Sequence, residues 1–139
     1  MNQPILEVKN LKTYFETNRG MLKAVDDVSF CVEAGECLGI IGESGSGKSV
    51  SCLSVLGLID EPGRIEGGEI LLEGRSLIGL SDEEFEEIRG RDISMIFQDP
   101  LTSLNPVFTV GRQMTDVIRR HLKLGRKQAE ERAIQAMRQ

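Results

Sequence analysis

A glycine-rich segment, Gly42-Glu-Ser-Gly-Ser-Gly-Lys-Ser49, constrains the fold of this chain more than any other feature. It meets every position of the pattern Gly-x4-Gly-Lys-Ser/Thr. Because glycine lacks a Cβ atom, the backbone can wrap closely and turn its N–H groups inward to form an anion nest. A helix that begins at the end of such a loop adds the positive end of its dipole. The segment therefore predicts a nucleotide phosphate site, in which Lys48 neutralises the phosphates and the Ser49 hydroxyl ligates magnesium.

The residues around this loop predict a mixed α/β fold that begins with antiparallel strands. Alternating or continuous apolar runs indicate strands at Ile5–Lys9, Ala24–Glu33, Glu36–Ile41, Glu69–Glu73 and Asp92–Phe97. Helical spacing of apolar residues indicates helices at Ser49–Ile59, Ser81–Arg89, Val110–Leu122 and Arg126–Gln139. The strands at 36–41 and 92–97 are the most apolar and are expected to be buried on both faces. The order strand, glycine-rich loop, helix is the context that a phosphate loop requires.

Composition excludes several classes of protein. A chain of 139 residues suits one compact domain, and its net charge is −5. No apolar stretch approaches the roughly 20 residues that a membrane-spanning helix needs, and the N-terminus has no signal-peptide pattern. The three cysteines fit no metal-ligand spacing and are interpreted as reduced core residues. Residues 112–139 are basic, which is interpreted as a solvated helix face and not as a nucleic-acid or membrane surface.

A second segment, Leu58-Ile-Asp-Glu-Pro62, raises the question of whether the catalytic carboxylates are also present. An apolar run ending in Asp-Glu is how many ATPases hold magnesium and polarise the attacking water. The predicted helix, however, carries Asp60 roughly 18 Å away from the loop at about 1.5 Å per residue. Pro62 and Gly63 then form an ordinary helix-ending signal. We therefore expect Asp60 and Glu61 to be solvated.

The strand at 92–97 delivers Gln98 at its carboxyl end. In an open α/β sheet, ligands bind outside the carboxyl ends of the strands, so Gln98 is expected to reach the mouth of the phosphate loop. A neutral amide can contact a magnesium ion or a water there without adding charge.

At this point the sequence resembles a known family, the ATP-binding subunits of ABC transporters. The segment Ile41-Gly-Glu-Ser-Gly-Ser-Gly-Lys-Ser49 is similar to their Walker A motif, and Met95-Ile-Phe-Gln-Asp-Pro100 is similar to their Q-loop. The stretch Phe97-Gln-Asp-Pro-Leu-Thr-Ser-Leu-Asn-Pro106 narrows the resemblance to the oligopeptide/dipeptide importer branch, which includes nickel and glutathione importers. The resemblance covers about residues 6–111.

The resemblance implies roles for individual positions, with ATP and Mg²⁺ as the cofactors. Lys48 and Gln98 are expected to act in catalysis, and Ser49 and Gln98 to ligate the metal. An aromatic residue before the second strand would stack on adenine; Phe15 is the first candidate and Tyr14 the alternative. Val50 departs from the hydroxyl residue of many relatives, but only its backbone N–H is needed. The implied nucleotide-binding set is Phe15, Gly42, Glu43, Ser44, Gly45, Ser46, Gly47, Lys48, Ser49 and Val50.

The fold implied is an α/β P-loop NTPase of the ABC ATPase type with an N-terminal antiparallel β subdomain. Residues 1–100 are assigned to the nucleotide-binding core, with Walker A and the Q-loop. Residues 101–139 are assigned to the Q-loop exit and the beginning of a helical subdomain. The fold is expected to be incomplete at the C-terminus.

Three elements of a complete ABC ATPase are missing from the sequence. It has no Ser-Gly-Gly signature, no second Walker strand ending in Asp-Glu, and no histidine in the position of the family's switch residue. The only histidine, His121, is interpreted as a surface or partly packed helix residue. We therefore expect the N-terminal part of a longer subunit, inactive by itself. It should leave sheet edge and apolar helix surface uncovered, and so be marginally stable or prone to aggregation.

The function that the resemblance implies is ATP binding within an importer ATPase that energises uptake of peptides or a related small solute. The expected partners are membrane subunits, contacted through the Gln98 loop and the helical subdomain, and a second ATP-binding subunit, identical or different. An extracytoplasmic solute-binding protein would act indirectly, and no nucleic acid is expected. The location implied is the cytoplasmic face of the cell membrane. The alternatives are an ABC-type ATPase that acts on ribosomes or nucleic acid without a membrane partner, and a self-sufficient small NTPase or nucleotide kinase.

Overall fold

A computed structural model describes residues 4–99 and 103–138. The chain forms two compact units, Met1–Ser81 and Asp82–Gln139. The division into nucleotide-binding core and helical subdomain at residue 100 stays a prediction. Among the described residues, no helix is both long enough and apolar enough to cross a bilayer.

The first unit is built on an antiparallel sheet of four strands in the order β2-β1-β3-β4. The strands are β1 (Leu6–Thr17), β2 (Gly20–Val32), β3 (Gly63–Leu72) and β4 (Arg75–Ser76). The long β1 lies in the centre and pairs with β2 on one side and with β3 on the other. The prediction of an N-terminal antiparallel subdomain is confirmed, although β1 and β3 extend well beyond the short apolar runs that indicated them.

An irregularity in the middle of β1 determines which side chains reach the core. Val8 and Leu11 are both buried, although residues three apart on a regular strand point to opposite faces. The pairing of β1 shifts register on both sides between these residues, and Asn10 has a left-handed φ of 49°. On the neighbouring strand, a Cβ atom on Gly68 would lie 2.6 Å from the carbonyl oxygens of Lys9 and Asn10. The bulge therefore brings two apolar residues to one face, and glycine at position 68 makes room for it.

One helix, α1 (Lys48–Val55), packs against this sheet with Ser51, Ser54 and Val55 buried. The predicted helix to Ile59 is too long, because the chain turns at Gly57. Gly57 has a φ of 62°, the Gly57 N–H donates to the Ser54 carbonyl, and the Leu58 N–H donates to the Leu53 carbonyl. This is the pair of hydrogen bonds that closes a Schellman helix end. Gly57 is the residue that ends the helix, and the prediction that Pro62 and Gly63 end it is wrong.

The strands predicted at 36–41 and 92–97 do not form. Neither segment is assigned as a strand, and within the described residues only an isolated bridge joins Ile93 to Arg89. Most of their side chains are exposed, with Ile41 98% and Ile96 92% accessible, while Ile93 and Met95 are half-buried. A strand buried on both faces needs neighbouring strands, and apart from that single bridge no described residue pairs with these two segments. Ile41 and Ile96 are exposed apolar residues, but they lie on no helix or sheet edge. The uncovered sheet edge, the uncovered helix surface and the marginal stability stay predictions.

The cysteine interpretation is wrong in one respect. Cys31, Cys37 and Cys52 are all exposed, so they are not core residues. Cys31 lies on β2, where Val25 is the buried residue, and Cys52 lies on α1, which buries Ser51, Ser54 and Val55. Cys37 lies in the unpaired segment after β2.

The described residues of the second unit include the helices α2 (Asp82–Ile88), α3 (Val110–Leu122) and α4 (Arg126–Ala136). All three were predicted, with α3 at its exact bounds. Gly125 separates α3 from α4, and Lys123 ends α3 in a left-handed conformation. His121 is half-buried on α3 beside Gly90, as predicted. The arginines of α3 and α4 are exposed and partly paired with carboxylates of the same unit, which agrees with a solvated basic face.

Candidate functional site

The glycine-rich loop at 42–47 is shaped by two close contacts and two left-handed residues. Gly45 and Gly47 have φ values of 81° and 88°, a region that side-chain-bearing residues rarely adopt. A Cβ atom on Gly42 would lie 2.6 Å from the Ser46 hydroxyl oxygen. On Gly47 it would lie 2.4 Å from the carbonyl oxygen of Ala24 in β2. Glycine at 42 lets the loop fold on itself, and glycine at 47 lets it approach the sheet.

The ammonium group of Lys48 lies inside this loop. Its Nζ donates to the carbonyl oxygens of Gly42 at 2.8 Å and Glu43 at 2.6 Å, and to the Ser46 hydroxyl at 3.2 Å. All its partners are neutral oxygens, so within the described residues these bonds leave the positive charge unneutralised. A positive charge held in a backbone loop at a helix N-terminus is a site for an anion.

The other loop residues line the opening. Glu43, Ser44 and Ser49 are exposed, whereas Val50 is partly covered and accepts at its carbonyl from Ser54. Ser49 stands in the first turn of α1, one residue after Lys48. Among the described residues, no group of three or more His, Cys, Asp or Glu side chains could hold a metal ion. A magnesium ion that takes most of its ligands from phosphates and water needs only one or two protein oxygens, and the Ser49 hydroxyl suits that requirement.

The two candidate aromatic residues have different surroundings. The Tyr14 hydroxyl donates to Asp26, and the Lys23 ammonium lies 5.2 Å from the centre of the Tyr14 ring. The Tyr14 hydroxyl and the Lys23 ammonium both donate to the Asp26 carboxylate, and these hydrogen bonds hold the pKa of that carboxyl below its usual value. Phe15 pairs with Gly63 on β3. The Phe15 ring lies against this glycine, since a Cβ atom on Gly63 would be 2.4 Å from the Phe15 Cε1 atom.

The remaining predicted residues lie outside the loop. Gln98 is exposed and belongs to the second unit, whereas the glycine-rich loop at 42–47 belongs to the first. Asp60 and Glu61 are exposed and precede β3 instead of following a strand, as expected for residues that take no part in catalysis. Pro100, Leu101 and Thr102 of the predicted Q-loop lie outside the described residues.

Gln113 was not predicted from the sequence, although it organises residues 105–108 after Gln98. Gln113 on α3 accepts from the Asn105 N–H at 3.0 Å, and its amide nitrogen donates to the carbonyls of Asn105 at 3.0 Å and Phe108 at 2.9 Å. Asn105 in turn accepts from the Val107 N–H through its side chain. Nothing in the local pattern indicates these contacts, because they join residues five and eight positions apart across a turn.

We expect Gln113→Glu to loosen residues 105–108. A carboxylate keeps the size of the side chain but cannot donate to the two carbonyls, and each hydrogen bond lost costs about 0.5–1.5 kcal/mol. Hydrogen exchange of the Asn105 and Phe108 amides should accelerate about tenfold or more. The matched control is Gln135→Glu on the exposed side of α4. Equal exchange rates in both variants would contradict the assigned role of Gln113.

Comparison with known proteins agrees with this geometry. The chain is 45% identical over 134 residues to the oligopeptide transport ATP-binding protein AppD of Bacillus subtilis (strain 168), covering 96% of this chain and 41% of that protein. It is 46% identical over 138 residues to the dipeptide transport ATP-binding protein DppD of Lactococcus lactis subsp. cremoris (strain MG1363), covering 99% of this chain and 40% of the relative. The chain thus spans about two fifths of the length of these relatives.

The fold has solved counterparts. The structure described as the dimeric post-hydrolysis state of the ATP-binding cassette MJ0796 bound to ADP and Pi superimposes with a TM-score of 0.80. The superposition covers 96% of this chain and 56% of that chain at 21% sequence identity. A second dimeric structure of the same cassette gives a TM-score of 0.77 at 20% identity. At this level of identity the likeness concerns the fold alone, which is that of an ABC ATPase cassette.

The family model described as ABC transporter matches residues 25–139, which include the glycine-rich loop, α1 and all of the second unit. That match covers most of the chain, and the fold and the 45–46% identical relatives agree with it. The chain belongs to the ABC transporter family.

Proposed function

We propose that this chain is the ATP-binding portion of an importer ATPase that energises uptake of peptides or a related small solute. The observation that carries the proposal is the Lys48 ammonium held inside the loop at 42–47 by neutral oxygens. That arrangement supplies a positive charge and a backbone nest together, as the phosphates of a nucleotide require. The relatives named for oligopeptide and dipeptide transport support the class of solute.

Each group of the loop has a task in this proposal. The backbone N–H groups of residues 43–50 bind the phosphate oxygens, including that of Val50, and Lys48 moves from its carbonyl partners to the β- and γ-phosphates. The Ser49 hydroxyl would be one ligand of Mg²⁺, which would offset the negative charge of the phosphates. Phe15 stacks on the base. Tyr14 is less suited to that task, because its hydroxyl and ring already contact Asp26 and Lys23.

Gln98 is proposed to sense the γ-phosphate and magnesium, and its loop to meet the membrane subunits. The exposure of Gln98 supports a role that depends on partners, and so do the exposed Leu104, Val107 and Phe108 that follow it. A second ATP-binding subunit would complete the site. The assembly would act on the cytoplasmic face of the membrane, with an extracytoplasmic binding protein delivering the solute.

Calorimetric titration of the chain with ATP and with AMP, both in the presence of Mg²⁺, tests the phosphate site. We expect ATP to bind at least about 100-fold more tightly than AMP, because AMP lacks the β- and γ-phosphates that Lys48 contacts. We also expect no steady ATP turnover by the chain alone. Equal affinities would contradict the phosphate assignment, and sustained turnover would favour a self-sufficient NTPase.

A separate experiment addresses the importer role. The chain would be expressed together with the membrane subunits of a peptide importer, and the membranes extracted in mild detergent. Co-purification of the chain with the membrane subunits is the expected outcome. Co-purification with ribosomes or RNA instead would favour the ABC-type ATPase that acts without a membrane partner.

A further inference from the structure

A pair of buried hydroxyl groups joins α1 to the central strand of the sheet. Thr13 on β1 is 0% exposed and Ser54 on α1 is 1% exposed. Their hydroxyl oxygens lie 2.8 Å apart. Thr13 and Ser54 are 41 positions apart in the sequence, so the contact links two elements that otherwise meet through apolar packing. Hydroxyl groups buried this deeply are costly unless they are hydrogen-bonded.

The direction of this hydrogen bond follows from a proton count. A serine hydroxyl carries one proton and has two acceptor lone pairs. The Ser54 hydroxyl donates that proton to the Val50 carbonyl in its own helix, at 2.7 Å. The proton between the two hydroxyls must therefore come from Thr13, and Ser54 accepts it. The strand donates and the helix accepts, so the pair fixes one orientation of α1 on β1.

The pair joins the two elements that carry the parts of the proposed nucleotide site. Ser54 belongs to the helix whose N-terminus begins at the loop residue Lys48. Thr13 is two residues from Phe15, on the same face of β1 because side chains alternate along a strand. Val25 pairs with Thr13, and the carbonyl of its neighbour Ala24 lies against Gly47. A shift of α1 along β1 would therefore change the spacing between the Phe15 ring and the phosphate loop.

We propose that the Thr13–Ser54 hydrogen bond is a positioning element that sets this spacing. It would favour ligands that carry a base and a phosphate chain together over ligands that carry the phosphates alone. Apolar contacts are not directional and permit small slides of a helix on a sheet, whereas a hydrogen bond of 2.8 Å has a preferred distance and angle. The inference rests on the proposed nucleotide site and adds to it a determinant of ligand class.

The experiment compares two ligands and four forms of the chain. ATP and inorganic tripolyphosphate, each with Mg²⁺, are titrated into the unaltered chain, Thr13→Val, Thr13→Ser and Thr17→Val. Thr13→Val keeps the shape and removes the hydroxyl, while Thr13→Ser keeps the hydroxyl. Thr17→Val makes the same change on the same strand, where the hydroxyl donates to the Gly20 carbonyl and accepts from the Arg19 N–H, both within the hairpin turn.

The ratio of the affinities for ATP and for tripolyphosphate is the quantity that tests the inference. Base stacking supports a preference of about tenfold in the unaltered chain. Thr13→Val should lower that preference to about twofold while the affinity for tripolyphosphate changes by less than about twofold. Thr13→Ser and Thr17→Val should retain the tenfold preference. A circular dichroism spectrum of each variant establishes that it is folded, and Ser54→Ala replaces Thr13→Val if the latter does not fold.

Several results would overturn the inference. Equal losses for both ligands in Thr13→Val would mean that the pair only stabilises the fold. An unchanged preference in that variant, or a reduced one in Thr17→Val, would remove the role of the hydrogen bond. If the unaltered chain binds tripolyphosphate but shows no preference for ATP, the base subsite is wrong and the phosphate site remains. If it binds neither ligand, the proposed function itself fails.

Discussion

Replacing Lys48 with alanine should reduce the affinity of the chain for MgATP by at least about 100-fold. In the free chain the ammonium is held by the Gly42 and Glu43 carbonyls and the Ser46 hydroxyl, inside the loop where the phosphates are proposed to bind. Hydrogen bonds to charged groups contribute about 1.5–3 kcal/mol each, and Lys48 can make two with the β- and γ-phosphates. Isothermal titration with ATP measures the change directly.

Two controls separate this effect from unfolding and from overall charge. Lys127→Ala removes the same charge from an exposed position on α4, so its affinity should equal that of the unaltered chain. The thermal transition of Lys48→Ala should stay within a few degrees of the original, because the contacts of Lys48 are confined to its own loop. If Lys48→Ala binds ATP as tightly as the unaltered chain, the loop is not the phosphate site.

The substitution Gly47→Ala should abolish ATP binding and lower the free energy of unfolding by about 3 kcal/mol or more. The new Cβ atom would lie 2.4 Å from the Ala24 carbonyl oxygen, which belongs to a strand and cannot move alone. The φ of 88° adds about 1–2 kcal/mol for any residue with a side chain. Either the loop leaves β2 or the helix start moves, and both changes disturb Lys48. Urea unfolding and ATP titration measure the two effects.

Two other glycines of the same region serve as graded controls. Gly45→Ala meets no atom within 4 Å but has a φ of 81°, so it should show the backbone cost without the collision. Gly39→Ala meets no atom within 4 Å and has no left-handed φ, so stability should change by less than about 0.5 kcal/mol. If the three alanine variants have equal stability, the close approach of Gly47 to β2 makes no contribution to the stability of the fold.

The parts of the fold that could be predicted are those that depend on neighbouring residues. The phosphate loop follows from the spacing of two glycines, a lysine and a serine, and α3 follows from the apolar period between Thr109 and Lys123. Both features are local, because a helix and a tight loop satisfy their backbone groups from residues close in sequence. The antiparallel sheet was also predicted, since its strands alternate in polarity.

The parts that could not be predicted depend on residues far apart in the chain. The bulge at Asn10 depends on the Gly68 backbone across the sheet, and the hydroxyl pair depends on Thr13 meeting Ser54. The apolar runs at 36–41 and 92–97 have the composition of strands, but a strand exists only with a hydrogen-bonded neighbour. The role of Phe15 rests on resemblance, and that of Gln98 on resemblance and on a predicted strand at 92–97 that does not form. Both roles remain proposals.

The irregular pairing beside the phosphate loop also limits where the length of this chain can change. Val25 pairs with Thr13 and Lys23 pairs with Tyr14, so Ala24 is an extra residue on β2, and its carbonyl is the one that faces Gly47. Deleting one residue between Gly20 and Ala24 would turn a different carbonyl toward the loop and reverse the faces of the strand. The exposed turn at Asn18 and Arg19 has no such restriction. The hairpin can therefore carry a peptide tag or a fluorescent reporter at its tip, whereas its base tolerates neither insertion nor deletion.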